Sequence, residues 1–214
     1  MHNILALDTT SEFGSVALRR GQQTVAEIQL HSPDGFAHII FQAIEDILAK
    51  SDMRLEEIDC FASASGPGSF TGVRVGLAAV KGLAEALGKP AVGISNLRAL
   101  SLFGSAALRA VVLDARRGDV YGAVYDAATR LVFPEVVSPW AAWLAAAPKD
   151  AELIGFAGGP CETAGVPFTA APHCLAAAVA RCAEIDGPAN WRDPVALDAN
   201  YVRRSDAELF WKED

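Results

Sequence analysis

The chain is poor in basic charge, in histidine and in paired cysteine, and each scarcity removes a class of function. It carries 18 lysines and arginines against 26 aspartates and glutamates, for a net charge of −8. A protein that grips a phosphate backbone unaided displays a basic face. Here the basic residues are scattered apart from the doublets Arg19-Arg20, Arg116-Arg117 and Arg203-Arg204, so solo nucleic-acid binding is disfavoured. The 4 histidines, His2, His31, His38 and His173, contain no i, i+4 pair of the kind a helical metal site uses, and no metal site is expected. The 4 cysteines, Cys60, Cys161, Cys174 and Cys182, form no CxxC pair, which argues against a zinc knuckle and a disulfide framework. No Ser/His/Asp or Cys/His nucleophile set can be nominated, so no catalytic residue is expected. No apolar stretch reaches the roughly 18 residues of a membrane span. The first apolar run has no basic residue before it and ends on Asp8, which reads as a strand rather than a signal peptide. The expected compartment is the cytoplasm.

What the chain does have is patterned apolar content, 51% of 214 residues, in short runs rich in Ala, Val and Leu. Residues 3–8, 14–19 and 24–30 read as three strands of an antiparallel meander, with hairpin-sized links between them. Residues 36–50 repeat apolar positions at helical spacing, with Asp34 or Gly35 as the cap. A strand over 58–65, a glycine-rich loop and a helix over 71–87 follow. Gly88 stands where a left-handed C-cap belongs, and Pro90 comes just after it. A strand over 91–94 and a helix from 96 to 103 capped by Ser95 complete the first half. The second half repeats the pattern: strands over 110–114, 120–125 and 131–137, then a helix to 147 with Ser138 as N-cap and Pro139 at its first position. A strand over 152–157, Gly158-Gly159-Pro160 and a helix near 175–185 come next. The duplicated β-β-β-α pattern predicts an α/β protein of two similar lobes, 1–104 and 105–214.

Three features carry candidate chemistry, each with a plainer reading beside it. Gly66, Gly68 and Ser69 open the loop between strand and helix, where backbone N–H groups could hold an anion. The spacing is neither a dinucleotide fingerprint nor a P-loop, and a tight strand-to-helix turn explains it equally. The helix behind the loop has two apolar stripes, Val73-Leu77-Val80-Ala84-Leu87 and Gly72-Gly76-Ala79-Leu83-Ala86. Two apolar faces require two partners, either another chain or another helix of the same one. Phe41 likewise falls outside the main stripe of the first helix. Asp8 and Thr9, echoed by Asp114 in the second half, are placed for a nucleotide cleft between the lobes together with Gly158 and Gly159. Asp and Thr after a strand are also ordinary turn formers.

The run Gly66-Pro67-Gly68-Ser69-Phe70-Thr71-Gly72-Val73-Arg74-Val75-Gly76, with Lys81-Gly82-Leu83-Ala84 beyond it, resembles the hallmark segment of the TsaB (YeaZ) family. Leu5-Ala6-Leu7-Asp8-Thr9-Thr10, Val92-Gly93-Ile94-Ser95-Asn96-Leu97, Asp114-Ala115-Arg116-Arg117-Gly118 and Tyr201-Val202-Arg203-Arg204-Ser205-Asp206-Ala207-Glu208 resemble further family segments in order along the chain. One departure is that Phe36 stands where the family often has a histidine. The resemblance implies an actin/Hsp70-like (ASKHA) two-lobed fold with duplicated β-β-β-α-β-α units. It also implies a non-catalytic subunit that pairs with its paralogue TsaD, with the ATPase TsaE joining. The complex makes N6-threonylcarbamoyladenosine at adenosine 37 of ANN-decoding tRNAs, and tRNA is met only through that complex. No cofactor is implied for this chain itself, while ATP or ADP at the complex interface stays open. The implied interface runs over the two helices of the first lobe, through Phe36, Ile40, Phe41, Ile44, Gly72, Val73, Gly76, Val80 and Leu83, and the same face would support a homodimer when the chain is alone. The competing reading is an independent nucleotide-dependent enzyme of the same fold; a glycoprotease would need a zinc-binding or nucleophilic set.

Overall fold

Every residue of Ile4–Asp8 is buried, so the strand Asn3–Asp8 (β1) has no solvent face and must lie at the centre of a sheet covered on both sides. Period-2 alternation sends Leu5 and Leu7 to one core and Ile4 and Ala6 to another. The structure, a computed structural model, describes residues 1–202; Arg203-Arg204 and the rest of the segment after Val202 lie outside the described residues.

In the first half, β1, β2 (Phe13–Arg20) and β3 (Gln23–His31) form the antiparallel meander, followed by α1 (Ile40–Lys50), β4 (Cys60–Ala64), α2 (Phe70–Leu87), β5 (Ala91–Ile94) and α3 (Asn96–Ser101). The second half runs β6 (Leu108–Asp114), β7 (Asp119–Asp126), β8 (Leu131–Pro139), α4 (Trp140–Ala146), β9 (Glu152–Phe156), α5 (Pro160–Thr163), β10 (Thr169–Ala171) and α6 (Ala176–Asp186). The strand orders, β3-β2-β1-β4-β5 and β10-β9-β6-β7-β8, are the same order read in opposite directions. The duplicated β-β-β-α-β-α unit that the resemblance implies is present, and each half extends it by one more strand and helix.

Two helix starts differ from expectation. Helix α1 begins at Ile40, not at residue 36, and its N-cap Ile39 makes no side-chain cap bond. Phe36 is instead drawn into the core, 1% exposed. Its ring fills the space over Gly14, where a Cβ would stand 2.7 Å from it, and residues 36–39 form only a turn on the Phe36 carbonyl. Before α4, Ser138 and Pro139 stay in β8, paired with Val120 and Asp119. Pro139, with an extended ψ of 137°, is the N-cap rather than the first helical residue. The short α5 and β10 were not foreseen, because four and three residues are too few to show a period.

Helices α1 and α2 cover one face of the first sheet, and α4 and α5 cover the outer face of the second. Between the sheets lie α3 and α6 in a shared core that includes Ile4, Ala62, Leu97, Val111, Leu113 and Val179. The boundary expected at 104/105 falls in the link between α3 and β6. The chain then returns to the first half: Arg192 and Ala91 bond through their backbones, Leu197 is buried in the first-half core, and the Asn200 N–H donates to the Ser65 carbonyl. Polar ties fix the halves. Arg98 of α3 holds Asp186 of α6 through two bonds of 2.8 and 2.7 Å. Glu135 of β8 accepts from the Ser95 and Tyr125 hydroxyls and the Asn200 amide. Burial and the Glu135 carboxylate push the Tyr125 phenol above its ordinary range, keeping it a donor.

Trp143 of α4 is 2% exposed and lies so close on β7 that a Cβ on Gly122 would stand 2.1 Å from its Nε1. Replacing Gly122 with Ala is therefore expected to displace the indole and to cost about 1–3 kcal/mol. A lower urea midpoint together with a red-shifted tryptophan emission checks this.

Candidate functional site

Both central strands, β1 and β6, end on an acid, Asp8 and Asp114. The two acids line a cleft of roughly 600 Å³ between the halves, with Thr10, Gly68, Ser69, Asn96, Arg116 and His173 among its other walls. Of the residues expected at a nucleotide or anion site, Asp8, Gly68, Ser69 and Asp114 line this one cleft. Gly158 and Gly159 do not join them; they line a separate recess of roughly 420 Å³ beside Trp140, which Asp114 also borders.

The two acids differ in state. Asp8 is 1% exposed. Its Oδ1 accepts from the Thr10 N–H at 3.0 Å and the Thr10 hydroxyl at 2.7 Å, and its Oδ2 accepts from the Leu175 N–H at 3.1 Å. Burial raises its pKa, and the Thr10 and Leu175 donors oppose the rise without cancelling it. The next N–H groups at the start of α6 are taken as well, Ala176 by Ser15 Oγ and Ala177 by Glu27 Oε1. The donors an anion would seek at this helix end are therefore occupied by first-half side chains. Asp114 is open, its side chain 46% exposed, with Arg116 Nη1 at 3.5 Å. One side of the cleft is closed by a column of rings that the sequence did not announce: Phe156, His173, Phe13 and His31, with successive centroids 4.7, 4.9 and 4.8 Å apart. Residues distant in sequence meet here, so no local pattern could reveal it.

The glycine loop is shaped by what lies beneath it. A Cβ on Gly68 would stand 2.6 Å from the Thr10 carbonyl oxygen, one on Gly72 2.0 Å from that of Thr9, and one on Gly76 2.6 Å from Thr9 Oγ1. Thr9, buried rather than in the cleft, donates its hydroxyl to the Gly72 carbonyl at 2.7 Å. The Gly66 N–H donates to Asn96 Oδ1, whose amide nitrogen in turn donates to Thr10 Oγ1. Ser69 caps α2, accepting from the Gly72 N–H, while its own N–H donates to the Thr10 carbonyl. Gly66 adopts φ +103°, open to glycine at little cost.

This packing places most of the expected interface residues inside the chain. Phe36, Ile40, Ile44, Val73 and Val80 are buried in the chain's own first-half core, and Gly76 is buried against Thr9 and Ser63, so their side chains are engaged within the chain. Gly72 is half-buried against Thr9, so its missing side chain serves the approach of α2 to β1, not of a foreign helix. Phe41 remains, 53% exposed, and Leu83 is half-buried. The sequence reading missed Phe70, 44% exposed at the first turn of α2. The Arg74 guanidinium lies 3.7 Å over its ring, and Arg74 Nε donates to the Tyr201 hydroxyl. Its place at the end of the glycine run, outside both stripes, was the available signal. Among the described residues, no group of three or more His, Cys, Asp or Glu is arranged to hold a metal ion. Burial pushes the Cys161 and Cys182 thiols up to about 11 and about 12, which leaves them poor nucleophiles.

Comparison with known proteins adds the family context. Residues 31–155 match the family model described as TsaD, tRNA N6-adenosine threonylcarbamoyltransferase. The chain is 38% identical over 127 residues to the tRNA threonylcarbamoyladenosine biosynthesis protein TsaB of Escherichia coli, covering 58% of this chain and 54% of that protein. The match thus spans about half the length of that curated relative. An uncharacterized protein of Mycobacterium tuberculosis is 32% identical over 216 residues, covering 96% of this chain and 93% of its own. The solved structure of YeaZ from Pseudomonas aeruginosa superposes with a TM-score of 0.78 at 28% identity, covering 94% of this chain and all of that one. At the level of fold alone, component A of the (R)-2-hydroxyglutaryl-CoA dehydratase of Acidaminococcus fermentans matches with a TM-score of 0.55 at 11% identity, covering 86% of this chain and 98% of that one. The two mixed five-stranded sheets and their helices are those of the ASKHA fold.

If Gly72 serves packing, Gly72→Ala is expected to lower stability by about 1–3 kcal/mol and the melting temperature by several degrees, read by circular dichroism. An unchanged melting curve would return Gly72 to the interface.

Proposed function

The chain belongs to the TsaB/YeaZ family, and from that premise we propose that it is a non-catalytic subunit of the machinery that makes threonylcarbamoyladenosine in tRNA. It docks onto the paralogue TsaD through the outer faces of α1 and α2 in the lobe 1–104, in the cytoplasm. TsaE joins the pair, tRNA is met only through the complex, and ATP or ADP is held at the complex interface rather than by this chain alone.

The observation that carries this reading is the exposure of large apolar side chains on two helices that cover the same sheet face. Phe41 on α1 and Phe70 on α2 are 53% and 44% exposed, and Ile39, Val75, Leu83 and Leu87 are half-buried beside the first-half core. Elsewhere along the outer side of α2, Ala78, Gly82 and Ala86 are exposed and small, beside the exposed Arg74 and Glu85, and the small positions let a second helix approach closely. Aromatic anchors amid small residues suit a helix-on-helix interface. When TsaD is absent, the same face supports self-association.

The competing reading, a free-standing nucleotide-dependent enzyme, rests on the cleft with Asp8 and Asp114. Asp8 weakens it, since its carboxylate is buried and both oxygens are engaged by Thr10 and Leu175. Robust ATP turnover by the purified chain alone would favour the enzyme.

Phe41→Asp is expected to weaken TsaD binding by at least tenfold, about 1.4 kcal/mol, while the melting temperature holds within a degree or so because the side chain is exposed. Calorimetric titration with TsaD beside a melt of the free chain reads both; undiminished affinity would remove α1 from the interface.

A further inference from the structure

Two opposite charges stand exposed on the outer side of α2, Arg74 and Glu85. Arg74 lies 3.7 Å over the Phe70 ring and gives its Nε to the Tyr201 hydroxyl. Among the described residues it pairs with no acid, whereas Arg54, Arg98 and Arg116 each do. Its Nη1/Nη2 edge, a fork that suits a carboxylate, is therefore open. The Glu85 carboxylate likewise has no ion pair or hydrogen bond among the described residues. The separation from 74 to 85 is about 16 Å along the helix axis, too far for the two to meet in one copy. At 3.6 residues per turn both fall on the same flank of the line through Ala78 and Gly82. Arg74 stands about 9 Å to one side of the midpoint of that line, and Glu85 about 7 Å to the other. At the midpoint, a Cβ on Gly82 would meet nothing within 4 Å. Nothing inside the chain thus requires a glycine there, in mid-helix, where it costs stability.

We infer that α2 packs antiparallel on α2 of a second copy, about a two-fold axis between Ala78 and Gly82, and that reciprocal Arg74–Glu85 pairs set the register. The inference rests on the functional reading above in sharing its helix face, and it specifies how that face is covered while TsaD is absent. An axis normal to the plane of the two helices leaves each flank on its own side. It brings Arg74 of each copy level with Glu85 of the other, to within about 2 Å along the axis. Charges that cannot meet in one copy thus meet twice between two. A parallel pair levels like charges with each other, and a slip of one turn, about 5.4 Å, parts both pairs. Ala78 and Gly82 at the crossing let the two backbones approach closely. The Phe70 stack and the Tyr201 bond hold the guanidinium ready, so less side-chain freedom is lost on docking. Two chains of net charge −8 repel one another overall, so the local match of sign selects one pairing rather than drawing chains together in general.

Sedimentation equilibrium of the chain without TsaD is the test. Arg74→Glu and Glu85→Arg each set like charges opposite one another twice per dimer. Each alone is expected to raise the dimer dissociation constant roughly tenfold or more. An equimolar mixture of the two variants restores both opposite-charge contacts, and it is expected to dimerise within a few-fold of the parent. Loss of fold cannot produce that recovery. Gly82→Leu, whose side chain enters open space, is expected to melt no lower than the parent in dilute solution and to remain monomeric when concentrated. A parent that stays monomeric up to its solubility limit overturns the inference. So do single variants that dimerise as the parent does, a mixture no better than either variant alone, or a dimeric Gly82→Leu. Titration with TsaD in parallel separates this inference from the functional reading. A monomeric parent that binds TsaD removes the α2 pairing and leaves that reading standing. A parent dimer whose variants recover on mixing, but which binds no TsaD, supports the pairing and removes the reading.

Discussion

Helix α2 approaches the end of β1 until its backbone rests on Thr9 and Thr10, and the arrangement of the first half follows from that contact. The approach requires three glycines in register, Gly68, Gly72 and Gly76, each facing Thr9 or Thr10 at a distance where a methyl group does not fit. Thr9 adds a hydrogen bond to the Gly72 carbonyl, and Thr10 receives the Ser69 N–H. With the loop pinned in this way, Asn96 bonds Gly66 on one side and Thr10 on the other, and Thr10 bonds Asp8. The hallmark glycine run is thus a packing device before it is anything else. Its polar groups are largely spent within the chain, and Gly68 and Ser69 reach the cleft only as parts of its wall.

The two halves share a strand order but not a division of labour. In the first, two helices cover one sheet face and present apolar side chains outward. In the second, α4 and α5 cover the outer face while α6 crosses to the first sheet. The start of α6 is capped by Asp8, Ser15 and Glu27, which ties the second half to the first beside the cleft. The ring column at its side and the Arg98–Asp186 pair reinforce it. An interlobe cleft so braced is better suited to presenting an outer surface than to opening and closing around a substrate.

Much of the fold was legible in the sequence because its strands are short, apolar and separated by strong turn signals. Gly88 with φ +62° and Ser95 accepting from the Arg98 N–H are where cap chemistry put them. The first turn of α1 was misread because Phe36 continues the helical period while its ring is committed to the space above Gly14. A one-dimensional period cannot see that choice. The burial of most expected interface residues has a related reason. A helix with small residues inward sinks deeper onto its sheet, so Val73 and Val80 of one stripe and Gly76 and Ala79 of the other are all buried. What remained legible was the outlier, Phe41, whose position off the stripe does correspond to exposure. The ring column and the capping of α6 depend on contacts that no spacing encodes.

The return of the chain to its own beginning also governs how it can be made. The first-half core includes Leu197, and Asp8 and Ser15 wait for N–H donors at residues 175 and 176. During synthesis the first sheet therefore emerges with one face uncovered and Asp8 held by Thr10 alone, and it stays so until the residues of α6 have left the ribosome. Contacts this far apart in sequence close late and slowly. In the interval, Ile4, Ala6, Cys60 and Ala62 present an apolar sheet surface to whatever is nearby. The first-half core is therefore complete only once residues 175–197 are in place.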